Sequence, residues 1–130
     1  MLYLWLGLGG ALGTVARYWI NGLVSRHFPS FPMGTLVINI TGSFLIGLFA
    51  AMTAPDGRWL VSPTFRAFFI AGLCGGYTTF SSFSLQTLDL ARAGEWLYAG
   101  ANVVASVVLC LVAVWLGYAA AMGFKSTKGF

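Results

Sequence analysis

The chain has 130 residues, of which 58% are hydrophobic and only 8% charged. Soluble domains carry roughly 25% charged residues, so a water-soluble core is excluded. Its net charge of +4 comes from seven basic and three acidic residues, and no polar basic patch of the kind nucleic-acid binding needs accompanies it. Arg17 and Arg66 aside, the charges fall in gaps between apolar blocks, the pattern of an integral membrane protein.

A bilayer crossing needs about 20 apolar residues, and four such blocks follow in chain order. The first runs from Leu2 to Val24 and ends at Arg26-His27-Phe28-Pro29. It lacks the charged leader and small-residue cleavage site of a signal peptide, so it is expected to be a retained helix. The second runs from Thr35 to Met52, and Pro55, Asp56 and Gly57 mark the turn after it. The third covers Thr64 to Leu90, followed by Ala91-Arg92-Ala93-Gly94. The fourth covers Glu95 to Phe124, longer than a bilayer needs, so it tilts or protrudes. A polar tail, Lys125 to Phe130, completes a single transmembrane domain over 1–130.

Four crossings put both ends of the chain on one side, with Arg58, Arg66, Lys125 and Lys128 there and Arg17, Arg26 and Arg92 opposite. A count this even gives almost no preferred orientation. Either the chain inserts both ways and pairs antiparallel, or it is an ordinary protein with weak signals. Gly9 and Gly13, and Ser43 and Gly47, are each four apart. Such spacing suits close helix packing, within one chain or between two.

The third block is the informative one. It holds no charge from Ala67 to Leu88, yet its middle reads Gly72-Leu73-Cys74-Gly75-Gly76-Tyr77-Thr78-Thr79-Phe80-Ser81-Ser82-Phe83-Ser84. Paired glycines weaken a helix at a depth where backbone groups cannot stay unpaired. A break near Gly75-Gly76 is therefore expected, and broken helices at this depth line cavities or bind ions. Phe80 and Phe83, three apart, share a face beyond it. Cys74 and Cys110 lie in separate blocks. They read as packing residues, not a disulfide, and form no metal motif.

Two polar stripes at helical spacing accompany this segment. One is Thr35, Asn39 and Ser43, and the other Tyr98, Asn102 and Ser106. They either hydrogen-bond neighbouring helices together or line an ion path as donors. Asp89 and Glu95 stand at span ends and no acid lies deeper in a span, which disfavours a proton-coupled exporter or an acid-ringed cation pore. Neutral donors and the electropositive edges of Phe80 and Phe83 suit an anion. Arg17 either attracts anions at a vestibule or anchors its helix. No Ser/His/Asp set, metal cluster or phosphate loop is present, so an enzyme is not expected. A small dual-topology drug or cation exporter and a non-transporting assembly subunit remain the competing readings.

Three stretches resemble the Fluc (CrcB-type) fluoride channels, over nearly the whole chain: Gly9-Gly10-Ala11-Leu12-Gly13-Thr14-Val15-Ala16-Arg17-Tyr18, Gly34-Thr35-Leu36-Val37-Ile38-Asn39-Ile40-Thr41-Gly42-Ser43-Phe44, and Gly75 to Ser84. The resemblance implies an all-α antiparallel, dual-topology homodimer in the plasma (inner) membrane of a prokaryote. Two pores would pass fluoride out of the cytoplasm passively and so reduce its toxicity. It implies that Gly75 and Thr78 give backbone carbonyls to a structural sodium ion shared by both subunits. Phe80, Phe83 and Asn39 would be pore residues, and Tyr98, Asn102 and Ser106 a polar track. Asn102 stands where some members carry serine, and its amide can still donate. Thr79, Ser81 and Ser82 would add hydroxyl contacts.

Overall fold

The computed structural model describes residues 1–126, so 127–130 of the polar tail lie outside the described residues. Regular structure among the described residues is entirely helical. Helix α1 spans Leu2–Ser25 and α2 spans Met33–Met52. The third apolar block is composite. It comprises α3 (Pro63–Ala67), a π-helical stretch (Phe68–Cys74), the short α4 (Gly75–Tyr77), and then α5 (Phe80–Arg92). Helix α6 spans Trp96–Ser126, on the order of 45 Å at 1.5 Å per residue.

Met33–Met52 and Trp96–Phe124 are each long and apolar enough to cross a membrane. Only 17% of the most apolar window of α6 is buried within the protein. Much of the remainder is exposed Val and Leu with Trp96 and Trp115, a surface that lipid or another protein must cover. The chain is a membrane protein.

Helix α2 packs chiefly against α6, and α1 chiefly against the π-helical stretch and α4. Glycine permits both approaches. A Cβ on Gly13 would strike the Leu73 carbonyl oxygen and lie 2.7 Å from the Tyr77 nitrogen. A Cβ on Gly76 would lie 2.6 Å from the Gly10 carbonyl oxygen. Gly47 and Gly117 do the same between α2 and α6, facing the Val114 and Phe44 carbonyls. The Gly9/Gly13 spacing is thus used within the chain. At the far end of α2, Arg66 Nε donates to Thr53 Oγ1 at 3.1 Å, and Thr53 Oγ1 donates to the Phe49 carbonyl at 2.7 Å. The cation there suits the negative end of the α2 dipole.

The break expected near Gly75-Gly76 falls just beyond the two glycines, at Thr78-Thr79. Gly75 is helical, at φ −63° and ψ −37°, whereas Thr78 and Thr79 are extended, at φ −83°, ψ 157° and φ −152°, ψ 114°. The two glycines admit a neighbouring backbone, and a helix packed on both sides keeps its hydrogen bonds despite the propensity cost of about 1 kcal/mol per glycine. The break falls instead where side chains can satisfy the backbone groups it releases.

Candidate functional site

Opening a helix at Thr78-Thr79 leaves donors and acceptors that lipid cannot satisfy. Their partners can be named. The Asn39 side chain clasps Thr79 from both sides: its Nδ2 donates to the Thr79 carbonyl at 3.0 Å, and its Oδ1 accepts the Thr79 N–H at 2.8 Å. Thr79 also caps α5, its Oγ1 accepting the Ser82 N–H at 3.2 Å, the N-cap geometry that β-region threonine favours. Both the N–H and the Oγ1 of Thr78 donate to the Cys74 carbonyl, each at 2.9 Å. Arg17 Nε donates to the Gly76 carbonyl at 3.1 Å. That carbonyl would otherwise have been paired within an unbroken helix.

Two carbonyls stand differently. In a continuous helix, those of Gly75 and Thr78 would accept from the N–H groups of Thr79 and Ser82. Those N–H groups are held instead by Asn39 Oδ1 and Thr79 Oγ1. Gly75 and Thr78 both border a cleft of about 470 Å³ between α2, the broken third helix and α6. Neutral carbonyl oxygens freed by an unwound helix are ligands for a hard monovalent cation, so this pair fits a sodium ion chemically.

The same cleft brings together Asn39, Ser43, Phe80, Phe83 and Ser106. The two phenylalanine rings lie 5.3 Å apart, tilted at 53°. Phe80 is 77% exposed and Phe83 half-buried. Cys74 and Cys110 are free thiols bordering this space. No acid is among its lining residues.

Arg17 and Ser82 border a second cleft of about 200 Å³, together with Thr35, Thr79 and Gln86. Thr79 is common to both clefts, so the clasped residue is their shared wall. Ser81 is exposed, with its hydroxyl 3.4 Å from that of Thr79.

Tyr98 and Asn102 line neither cleft. The Tyr98 ring meets the Phe31 ring edge-on at 6.0 Å. Asn102 is 2% exposed and fully engaged: its Nδ2 donates to Thr87 Oγ1 at 2.9 Å, and its Oδ1 accepts from Ser106 at 3.4 Å. Thr87 in turn donates to the Phe83 carbonyl at 2.8 Å. Asn102 therefore ties α6 to the Phe83 turn of α5.

Sequence reasoning did not single out Thr87 or Gln86. Their signal is positional: Thr87 is one helical turn beyond Phe83, and Gln86 is seven residues beyond Thr79, on the same face. Gln86 Oε1 is buried and has no partner among the described residues.

Comparison with known proteins identifies the family. Residues 4–118 match the family described as CrcB-like protein, Camphor Resistance (CrcB). A protein of Opitutus terrae named Fluoride-specific ion channel FluC is 61% identical over 129 residues, which is 98% of each chain. One of the same name from Rhodospirillum rubrum is 58% identical, over 94% of this chain and 95% of its own. Another, from Methylocella silvestris, is 52% identical over 99% of both. A family match over most of the chain and near-full-length identity to these relatives lead to one assignment: the chain belongs to the CrcB-like family.

Proposed function

We propose that this protein is a fluoride-specific ion channel, not an enzyme, passing fluoride passively out of the cytoplasm across the plasma membrane and so reducing its toxicity. The carrying observation is the cleft at the break, where side chains of Asn39, Ser43, Phe80, Phe83 and Ser106 converge without an acid. Fluoride is small and strongly hydrated, so its path must replace water with donors and positive ring edges. Hydroxyls of Ser81, Ser82 and Ser106 and Arg17 at a vestibule complete the proposed route, while Asn102, which lines neither cleft, holds the Phe83 turn through Thr87. In liposomes containing only this protein, fluoride efflux is expected to exceed chloride efflux by on the order of tenfold or more, the discrimination that a donor-lined filter supplies. Equal rates for the two anions would count against the reading.

The working unit is proposed to be an antiparallel, dual-topology homodimer that encloses two pores. An open cleft and a 77% exposed Phe80 support a second copy as the missing wall. A balanced distribution of basic residues across the two sides supports insertion both ways. A structural sodium, held by the Gly75 and Thr78 carbonyls of both copies, would neutralise the partial negative charge of these oxygens at the dimer axis. A tag at the C-terminus is expected to react with impermeant reagent from both sides of the membrane, and the purified dimer to retain sodium through exchange into N-methylglucamine buffer. One-sided labelling would argue against dual topology, and a sodium-free dimer of normal stability would argue against the ion.

A further inference from the structure

A third cleft, of about 360 Å³, opens where the loop after α1 meets the last turns of α5. Pro29, Phe31 and Pro32 form one wall, and Gln86, Asp89 and Leu90 the other. Gln86 also lines the second cleft, which holds Arg17, and Thr79 links that cleft to the one beside Phe80. The three spaces thus adjoin in series, each neighbouring pair sharing one lining residue, from the loop after α1 to the break at Thr78-Thr79.

Asp89 is the charged residue that borders the outermost space, as Arg17 is of the middle one. Nothing in the fold accounts for an acid there. It is exposed, and no ion pair holds its carboxylate among the described residues. It occupies the last turns of α5, where the negative end of the helix dipole disfavours a carboxylate. Arg92, three residues on, suits that end but does not line the cleft.

We propose that Asp89 is an electrostatic throttle at the entrance to the anion route, lowering the local fluoride concentration ahead of Arg17 and so setting the rate of passage. This rests on the fluoride-channel reading. A unit charge about 10 Å from a passing anion in water changes its local concentration roughly twofold. The effect must vanish when salt shortens the screening length to about 3 Å, near 1 M.

The test is fluoride efflux from liposomes at low ionic strength and again near 1 M, set with an impermeant salt. Asp89→Asn is isosteric and exposed, and is expected to raise low-salt efflux roughly twofold and Asp89→Lys roughly fourfold, with all rates converging at high salt. Glu95→Gln removes an acid from the same end that borders none of the three clefts, and should change little. Unchanged or slower efflux in Asp89→Asn overturns the throttle, as does an equal gain in Glu95→Gln, which would make the effect one of general surface charge. Absence of fluoride efflux from the unsubstituted protein would overturn the channel reading itself.

Discussion

Asn39→Ala is expected to reduce thermal stability and fluoride efflux together. The Asn39 amide makes both hydrogen bonds to the Thr79 backbone, at 3.0 and 2.8 Å. Alanine leaves an N–H and a carbonyl unpaired at membrane depth, and each such group costs about 1–3 kcal/mol. Relief can come only from water entering between the clefts or from Thr79 returning toward helix. Either change moves Phe80, the next residue, whose position depends on the bend. Asn39→Asp sharpens the test. It can still accept the Thr79 N–H, but it sets a carboxylate oxygen against the Thr79 carbonyl, so its loss of efflux should be at least as large. The measurements are thermal unfolding of the detergent-purified protein and fluoride-electrode efflux from liposomes. Retained stability with lost efflux would mean that the amide serves the ion and not the break. Unchanged values for both would deny Asn39 either task.

The second large effect is expected at the aromatic pair. Phe83→Ile and Phe80→Ile keep apolar bulk and remove the electropositive ring edge. Aromatic edge interactions are worth about 0.5–1.5 kcal/mol each. Losing them at successive points on a path should slow fluoride by on the order of tenfold or more, since about 1.4 kcal/mol is a factor of ten in rate. Phe83 is the more informative position because its carbonyl is held by Thr87, which Asn102 holds in turn. Its backbone should therefore stay in place when the ring is removed. The variants should remain folded by thermal unfolding, which separates a lost ring edge from a lost structure. Normal efflux in both would make the rings packing elements.

Much of this architecture is legible in the chain itself. Apolar block length and the placement of charges announce the long helices, because a bilayer tolerates neither a short helix nor an unpaired charge. Asn39, Ser43, Phe80, Phe83 and Ser106 are readable as a group because helical periodicity puts polar and aromatic side chains on faces, and the fold brings those faces to one cleft. The region of the break was legible, but not the two residues, Thr78 and Thr79, that leave the helix. Two glycines are the strongest local signal for weakness, but propensity is a weak prior that packing overrides. Gly76 is helical because Gly10 approaches it, from sixty-six residues away in the chain.

What local chemistry determined, then, is the kind of molecule: long apolar helices, polar stripes on their faces and acids kept to the ends of the blocks. What only tertiary contact decided is the bookkeeping of hydrogen bonds. Asn39 and Arg17 are remote in sequence from Thr79 and Gly76, yet they meet the backbone groups released at the break. Asn102 looked equivalent to Ser106 by spacing, but its amide is spent on Thr87 and Ser106 and faces neither cleft. A helix can bend only where something else pairs its backbone, and in lipid that partner must come from another segment of protein, which no local window of sequence contains.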